Sequence, residues 1–474
     1  MHILFATAEL APLVRVGGLA EAAGGLAQAL RRAGVTVELV VPDYFGPEGT
    51  VLRNETVETI ALPAWAAASG SQDTGPTAAT IRTGELEGYG EVSLVDVPGI
   101  KRPHPYVPPG EVDGWPDNDR RFFAFSAVVA ALAEKHAVDV LHVNDWHTAA
   151  ALGFVDATMA TVLSVHNLAY QGWCDRGWLD VLRADRRHAY DVGPSCNPLA
   201  GAISLADRVV AVSPTYADEI RTPAEGAGLH ELLAERGSAL VGILNGIDTD
   251  TWDPSTDMTL PMRYKVREAV AAKATNAIAL RAEVGLPPSS GPLIAMVTRL
   301  VEQKGVDIAL DATVALPGID AQFVFLGAGD PALSANARTV EHYIPDRFRF
   351  VEGFDLGLAH RMFAASDLFV MPSRFEPCGL AQMQAMRYGS LPIVTDVGGL
   401  HDTVIDADVD ALNGTGFVSR AVSAAGIVDA MYRAARTWQT KGRRSTLIRN
   451  AMTIDWSWDA PAAAYMDLYA GLRH

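Results

Sequence analysis

Short apolar runs alternate with longer amphipathic stretches through most of the chain, a pattern that predicts strands alternating with helices. The first series predicts a strand over 3–7 and a helix over 19–32. A second series starts near Leu293 and includes a strand over 368–371 and a helix over 380–388. Two separate series in one chain predict an α/β fold with two doubly wound domains that face each other across a cleft.

The alternation pauses in the middle of the chain, where we expect the domain boundary. Residues 245–254, NGIDTDTWDP, are polar and rich in turn formers, and the residues that follow are helix-like rather than strand-like. We therefore expect an N-terminal domain over 1–240 and a C-terminal domain over 241–450.

Composition narrows the class of protein. The chain has 474 residues, of which 49% are hydrophobic, with a formal net charge of -18 and a pI near 5.1. Such an acidic chain is a poor partner for nucleic acid or for an anionic membrane. No segment approaches the roughly 18 apolar residues that a membrane helix needs. Three cysteines without metal-ligand spacing favour a reducing compartment, so we expect a soluble, cytoplasmic protein.

Glu9, Arg15 and the glycine pair Gly17-Gly18 occupy the loop between the first predicted strand and the first helix. Glycine lets a backbone approach a diphosphate closely, a helix start attracts anions, and Arg15 supplies a countercharge. The alternative is a plain turn that uses glycine for geometry alone. Because the dinucleotide fingerprint G-x-G-x-x-G is absent, this stretch by itself favours the plain turn.

Two later strands of the first domain each end in polar residues. Asp145 follows one apolar run, and His166 and Asn167 follow the next, over 160–165. The carboxyl ends of parallel strands share one edge of a sheet, where open α/β sheets bind ligands. A single histidine there is more often structural. With Asp145 one strand away, a ligand site and a structural role are about equally favoured.

Arg299, Lys304 and Glu376 are the candidate residues of the second domain. Arg299 ends a predicted strand and Lys304 lies in the following turn, which suits the neutralisation of a departing diphosphate. Glu376 lies just before the helix predicted over 380–388, where its carboxylate can accept sugar hydroxyls. The alternatives are solvated charges for the two cations and a helix-dipole partner for Glu376.

Several longer motifs occur in one order along nearly the whole chain. They are TAELAPLVRVGGLAEAAGGL, NDWHT, SVHNLAYQG, VSPTYADEI, LNGIDTDTW, TRLVEQKG, PSRFEPCGL and GGLHDTV. With these motifs the chain resembles the bacterial glycogen synthase and plant starch synthase family of retaining glycosyltransferases, which have the GT-B architecture of two Rossmann-like domains. The stretch WSWDAPAAAYMDLY is similar to the family's C-terminal helix, so a helix in 451–474 is expected to return to the N-terminal domain.

The resemblance implies transfer of a glucosyl unit from a nucleotide-sugar, ADP-glucose in the family, to the 4-hydroxyl of an α-1,4-glucan or malto-oligosaccharide, with retention. It implies an acceptor-side N-terminal domain, a donor-side C-terminal domain, and no cofactor or metal. Carried over by position, the catalytic residues are Asp145, His166, Arg299, Lys304 and Glu376. The donor-binding residues are Arg15, Gly17, Gly18, Phe354, Cys378, Gly379 and Leu380, and the acceptor-binding residues are Glu9 and Asn167.

Five positions depart from the family pattern, most of them near the donor. The family has Lys, Asp, Lys, Tyr and Thr where this chain has Arg15, Glu21, Ala200, Phe354 and Ala381. These departures leave three hypotheses. The first is a glycogen-synthase-type glucosyltransferase. The second is a divergent glycosyltransferase or pseudo-glycosyltransferase of secondary metabolism, which takes another nucleotide-activated sugar or cyclitol and a small amino-sugar or maltoside acceptor. The third is a noncatalytic glucan-binding paralogue, which the complete set of charged residues disfavours.

Overall fold

A computed structural model describes residues 1–67, 78–109 and 113–472. The chain divides into two compact units. Unit 1 comprises Met1–Gly246 and Trp458–His474, and unit 2 comprises Ile247–Ser457. The division falls in the polar stretch where the alternation of strands and helices pauses.

Unit 1 is built on one large sheet and one small one. Its strands are β1 His2–Ala6, β2 Thr36–Pro42, β3 Arg53–Ala61, β4 Ala78–Leu86, β5 Gly90–Asp96, β6 Val140–Asn144, β7 Thr161–Val165, β8 Cys174–Asp175, β9 Asp191–Val192, β10 Ser195–Cys196, β11 Arg208–Ala211 and β12 Leu240–Gly242. Within the described residues the large sheet has the order β12-β11-β7-β6-β1-β2-β5-β4-β3, and the small antiparallel sheet has the order β8-β10-β9. The large sheet is parallel except at the β5-β4-β3 edge.

Along the chain, most helices of unit 1 connect one strand of the large sheet to the next. They are α1 Gly18–Arg32, α2 Gly46–Gly49, α3 Ala64–Ala67, α4 Asn118–Lys135, α5 Asp145–Ala149, α6 Pro198–Leu205, α7 Pro214–Glu219 and α8 His230–Glu235. The core strands β1, β6 and β7 are almost continuously buried, as expected for parallel strands that are covered on both faces.

Unit 2 is a second doubly wound sheet. Its strands are β13 Leu293–Val297, β14 Gln322–Gly327, β15 Phe348–Glu352, β16 Leu368–Met371, β17 Leu391–Thr395 and β18 Phe417–Ser419, all parallel, in the order β15-β14-β13-β16-β17-β18. Its helices are α9 Ala269–Glu283, α10 Val306–Asp311, α11 Pro331–Tyr343, α12 Leu356–Ala365, α13 Ala381–Arg387, α14 Gly398–Thr403, α15 Ala424–Trp438 and α16 Lys441–Thr453. Among the described helices of the chain, none has the length and apolar character needed to cross a bilayer.

The last helix of the chain, α17 Asp459–Ala470, belongs to unit 1. The hydroxyl of Tyr469 is hydrogen-bonded to Nδ1 of His142 in β6 at 2.6 Å, and the hydroxyl of Tyr465 is hydrogen-bonded to Oγ of Ser164 in β7 at 3.1 Å. Burial lowers the pKa of His142 to about 3, so its ring is neutral at neutral pH. These buried polar contacts attach the chain end to the centre of the large sheet. Of the segment 451–474, the first residues still belong to α16.

A buried lysine holds together two helix ends in unit 2. Nζ of Lys273, in α9, donates hydrogen bonds to the carbonyl oxygens of Phe363, Ala364 and Tyr388 at 3.0, 3.2 and 2.9 Å. These carbonyls lie at the C-termini of α12 and α13, where helices leave backbone acceptors unsatisfied. A cation there also complements the negative end of each helix dipole.

We expect Lys273→Met to change how stability depends on pH. Burial lowers the pKa of Lys273 below its usual value near 10.5, so the folded chain loses this proton at a lower pH than the unfolded chain does. Stability therefore rises with pH toward 10.5, by at most about 1.4 kcal/mol per pH unit for one proton. Urea unfolding of unit 2 at pH 7.5 and 9.5 should show this rise in the wild type and in the exposed-site control Lys265→Met. Equal pH slopes for the wild type and Lys273→Met would contradict the assignment.

Candidate active site

The first group of candidate residues lies where the strand order of unit 1 reverses. From β1 the chain builds one side of the sheet through β2 and β5, and β6 then pairs with the other side of β1. Such a reversal leaves a crevice at the carboxyl ends of the central strands, where open α/β sheets bind ligands. Glu9 follows β1, Asp145 follows β6 and His166 follows β7, so the fold brings these three residues to one edge of the sheet.

Asp145 ties together the ends of β6 and β7. Its Oδ1 accepts the backbone N–H of His166 at 2.7 Å and that of Asn167 at 3.4 Å. Asp145 has a φ of 53°, in the left-handed region that Asp tolerates better than most residues. The Asp145 carboxylate therefore fixes the backbone that carries the imidazole of His166 and the side-chain amide of Asn167.

The tautomer of His166 follows from its neighbour Asn144. The side-chain amide nitrogen of Asn144 donates to the carbonyl oxygen of Ala6 at 3.0 Å, which directs its Oδ1 to Nε2 of His166 at 2.9 Å. Nε2 of His166 therefore carries the proton, and Nδ1 carries the lone pair. Burial lowers the pKa of His166 to about 4, so the ring is neutral at neutral pH.

The pKa of the Asp145 carboxyl group is shifted upward, whereas that of His166 is shifted downward. Burial raises its pKa to about 7, although the two backbone hydrogen bonds from His166 and Asn167 favour the charged form. The nearby negative charge of Glu9 adds to the rise. This strand edge thus combines a neutral imidazole with a carboxyl group that changes charge near physiological pH, a combination that is frequent at catalytic sites.

Glu9 holds the glycine loop that precedes α1. Its Oε2 accepts the N–H groups of Val16 and Gly17 at 2.8 and 2.9 Å, and the hydroxyl of Tyr106 donates to its Oε1 at 2.8 Å. Because the Gly17 N–H is engaged by Glu9, the amides open at the helix start are those after Gly17. Within the described residues no side chain caps α1, so these amides can face an anion.

Three of the positions that depart from the family pattern lie in unit 1. Arg15 forms an ion pair with Glu21 in the first turn of α1, so two departures form one pair of opposite charges. Ala200 is 2% exposed inside α6, which places a small apolar side chain where the family has a cation.

The second group of candidate residues lies where the strand order of unit 2 reverses, between β13 and β16. The loops that follow these two strands are joined: the N–H of Arg374 donates to the carbonyl of Gln303 at 2.8 Å. Gly305 has a φ of 62°, and a Cβ at this position would lie 2.0 Å from the carbonyl oxygen of Pro372. Only glycine permits this close approach, which brings the turn that carries Lys304 against the turn that carries Glu376.

Lys304 and Glu376 form a partly buried ion pair. Nζ of Lys304 lies 2.8 Å from Oε1 and 2.6 Å from Oε2 of Glu376, and the hydroxyl of Ser373 donates to Oε2 at 3.0 Å. The side chain of Glu376 is 5% exposed and that of Lys304 is 18% exposed. An ammonium group has three N–H donors, so Lys304 can hold Glu376 and still direct a donor to a ligand.

Arg299 is exposed at the carboxyl end of β13. Its guanidinium group makes no hydrogen bond or ion pair with any residue in the described part of the chain. Arg374, in the neighbouring turn, is different, because its two terminal nitrogens donate to both oxygens of Asp307 at 2.8 and 2.7 Å. Of these two arginines, only Arg299 has a guanidinium that is open to a ligand.

The predicted donor-binding turn lies between β16 and α13. Gly379 has a φ of 71°, Cys378 is buried, and α13 begins immediately after Leu380. A Cβ at Gly399 would lie 2.1 Å from the carbonyl oxygen of Cys378, so the loops after β16 and β17 touch here. Cys378 is thus a close-packed small residue in this turn.

Phe354 occupies the same edge of the unit 2 sheet. It follows β15, which is parallel to β14 and β13, and its side chain is 76% exposed. Exposure of so large an apolar ring is unusual and is compatible with stacking on a ligand.

Sequence reasoning missed three residues that support the site. Tyr106 holds Glu9, Asn144 orients His166, and Ser373 holds Glu376. Asn144 and Ser373 lie inside quoted motifs, Asn144 next to Asp145 and Ser373 three positions before Glu376, so their position was a usable signal. Tyr106 lies in a stretch without clear periodicity and meets Glu9 only through the fold.

No metal centre is evident in residues 1–67, 78–109 and 113–472, where no group of three or more His, Cys, Asp or Glu side chains is arranged to hold an ion. The D-x-D sequence at Asp248 and Asp250 forms a turn, because Oδ1 of Asp248 accepts the N–H groups of Asp250 and Thr251. Independence from metals and cofactors stays a prediction.

Two protein-family models match the chain. The model of the starch synthase catalytic domain matches residues 2–235, and the model of group 1 glycosyl transferases matches residues 281–451. Together they account for most of both units. The chain is therefore a two-domain α/β glycosyltransferase with the GT-B fold.

Relatives and solved structures narrow the family. The glycogen synthase of Halorhodospira halophila is 41% identical over 487 residues, and that of Dechloromonas aromatica is 39% identical over 486, each match covering 99% of this chain and 98% of the relative. The catalytic domain of starch synthase IV from Arabidopsis thaliana, bound to ADP and acarbose, superposes with a TM-score of 0.86 at 33% identity over 99% of each chain. Sucrose-phosphate synthase from Thermosynechococcus elongatus, at 19% identity and a TM-score of 0.60, shares the fold alone. The chain belongs to the glycogen synthase and starch synthase family, which confirms the resemblance seen in the motifs.

Proposed function

We propose that the chain transfers a glucosyl unit from ADP-glucose to the 4-hydroxyl at the nonreducing end of an α-1,4-glucan, with retention of configuration. The observation that carries this proposal is the pair of cations, Arg299 and Lys304, at the strand reversal of unit 2. The glycogen synthase relatives and the ADP-bound starch synthase favour this function over the divergent-donor hypothesis.

The donor diphosphate is the part of the substrate that unit 2 is best equipped to bind. Arg299 offers a guanidinium with several N–H donors, and Lys304 offers the N–H that Glu376 leaves open. Negative charge accumulates on the diphosphate as it leaves, so two cations beside it stabilise the transition state more than the ground state. The backbone at Gly379-Leu380 contributes at the start of α13.

Other side chains of unit 2 serve the sugar and the base. Glu376 accepts hydroxyl groups of the glucosyl ring, since Lys304 and Ser373 leave part of its acceptor capacity unused. Phe354 offers an exposed ring on which the donor base stacks.

Unit 1 supplies groups for the reacting sugar and the acceptor. The neutral ring of His166 presents an Nδ1 lone pair that accepts a sugar hydroxyl, and Asp145 fixes that ring in place. Asn167 and Glu9 serve the acceptor side, and Glu9 also holds the glycine loop.

In the reaction, the bond from the anomeric carbon to the diphosphate oxygen breaks, and the bond to the acceptor O4 forms on the same face. The departing phosphate accepts the acceptor proton.

Calorimetry with a panel of nucleotide-sugars tests the donor assignment. We expect ADP-glucose to bind and the corresponding UDP-, GDP- and dTDP-sugars to bind at least about tenfold more weakly, a difference of about 1.4 kcal/mol. Release of ADP in the presence of a malto-oligosaccharide then reports turnover. Binding of another nucleotide-sugar without a response to ADP-glucose would support the divergent-donor hypothesis. Binding without turnover would support the noncatalytic paralogue.

Arg299→Ala should lower kcat/KM for the donor by about 10²- to 10³-fold, the cost of removing one preorganised charged donor. The melting temperature should stay within about 1 °C of the wild type, because the guanidinium has no partner among the described residues. Arg299→Lys should recover part of the loss, since it keeps the charge without the fork. Arg338→Ala is the matched control, since Arg338 is an exposed arginine of unit 2 that pairs with Glu352. A loss of activity in the control as large as in Arg299→Ala would contradict a specific role.

A further inference from the structure

Cys174 and Cys196 lie directly opposite each other in the small sheet of unit 1. The antiparallel register of β8 and β10 pairs Cys174 with Cys196 and Asp175 with Ser195. The Cα atoms of directly opposed residues in such a ladder are about 4.5 or 5.5 Å apart, depending on the type of pair. Both separations lie inside the range of about 4.4 to 6.8 Å that disulfides span. The backbone is therefore already placed for a bond between the two sulfurs.

The surroundings hold this arrangement in place. Cys196 is 0% exposed and packs in an apolar cluster with Phe123, Leu179 and Tyr190. The thiol of Cys174 points toward β10, since its Sγ donates to the carbonyl oxygen of Cys196 at 3.6 Å. Cys174 is only half-buried, so one sulfur of the pair can be reached from solvent.

The residue after Cys196 anchors the same region to the loop that follows β7. The side chain of Asn197 accepts the N–H of Ala200 at the start of α6 and donates to Oε1 of Gln171 at 2.8 Å. Gln171 in turn donates to the carbonyls of Leu168 and Ala227. Through Asn197, the cysteine pair is therefore connected to the segment that starts with His166 and Asn167.

We propose that Cys174 and Cys196 are a redox modification site, which closes to a disulfide by exchange with a small disulfide such as oxidised glutathione. The thiolate of Cys174 attacks oxidised glutathione, so the Cys174–glutathione bond forms and one glutathione thiolate leaves. The thiolate of Cys196 then attacks the Cys174 sulfur and displaces the second glutathione. Two thiols lose two electrons, one oxidised glutathione gains them, and the two protons end on the two reduced glutathione molecules.

The pKa of the Cys174 thiol affects how fast the disulfide closes, whereas the geometry of the pair is set by the backbone. The neighbouring Cys196 thiol and burial raise the pKa of Cys174, and the negative charges of Asp119 and Asp175 act in the same direction. Thiolate is therefore scarce at neutral pH, and exchange should be slow and accelerate with rising pH. Closure joins two residues that are 22 positions apart in an already folded region, so it should stabilise unit 1.

Mass spectrometry of the full-length chain tests the proposal. After incubation with oxidised glutathione at pH 8.5, we expect a loss of two hydrogens and a cross-link between the tryptic peptides 136–176 and 188–208. Peptide 375–387, which carries Cys378, should stay reduced. The control Cys378→Ser should form the same cross-link, and Cys174→Ser should not. Cys196→Ala should not form it either. If Cys196→Ala does not fold, Cys174→Ser still tests the proposal, because position 174 is only half-buried.

A second measurement reports whether the folded geometry accepts the bond. Oxidation should raise the melting temperature by about 5 °C, and dithiothreitol should reverse the rise. A glutathione adduct on Cys174 without closure, a cross-link that involves Cys378, or a fall in the melting temperature would each overturn the proposal.

Discussion

Lys304→Met is expected to lower kcat by about 10³-fold while the chain stays folded. The substitution keeps the length of the side chain but removes the ammonium group that we place at the departing diphosphate. It also leaves the carboxylate of Glu376, which is 5% exposed, with Ser373 as its remaining side-chain partner in the described residues. Loss of one partner from such a pair costs about 3 kcal/mol, so the variant should also melt earlier. ADP release with a malto-oligosaccharide acceptor and thermal unfolding measure the two effects.

The double variant Lys304→Met with Glu376→Gln separates catalysis from stability. It removes the unpaired buried charge, so most of the lost stability should return while activity stays low. Arg374→Gln is the matched control, since Arg374 is a cation of the neighbouring turn that is committed to Asp307. Near-normal turnover in folded Lys304→Met would remove Lys304 from the leaving-group role.

Asp145→Asn is expected to separate two roles of this residue, the hydrogen bonds that hold the loop and the negative charge. An Asn oxygen can still accept the N–H groups of His166 and Asn167, so the loop should keep its shape. The negative charge is lost, and we expect kcat to fall by about 10²-fold or more. Turnover equal to that of the wild type would show that the charge has no part in the reaction.

The stability of Asp145→Asn should depend on pH with a defined sign. The pKa of Asp145 in the folded chain is about 7, above the ordinary value of 3.8, so the folded state holds a proton that the unfolded state has lost. In the wild type, stability therefore falls as pH rises from about 4 to 7, by up to about 4 kcal/mol. Asn has no such penalty, so the variant should gain stability at pH 8 and little at pH 4. The exposed-site control Asp180→Asn should show no such difference, and an equal gain at both pH values would contradict the assignment.

Most of the helices and strands near the site could be predicted from periodicity. The helix expected over 19–32 is Gly18–Arg32, and the helix expected over 380–388 is Ala381–Arg387. Glycines stand close to both ends of each helix, Gly17 and Gly34 for the first and Gly379 and Gly389 for the second. The family and its GT-B fold followed from motifs in register and are confirmed by the comparisons.

The contacts within each half of the site could not be predicted in this way. Lys304 and Glu376 are separated by 72 positions, and their pairing depends on β16 lying beside β13 and on the close approach at Gly305. Tyr106 and Glu9 are separated by 97 positions. Local patterns carry no information about such distances, because they depend on which strands become neighbours.

The residues alone therefore establish the class of fold, the family and the identity of the charged side chains near strand ends. Those properties are written locally, in the apolar periodicity and in the motifs. The folded chain was needed for the tautomer of His166, the raised pKa of Asp145, the open guanidinium of Arg299 and the opposed thiols of Cys174 and Cys196. Each of these depends on burial or on a partner from a distant part of the chain, which exists only once the sheets have formed.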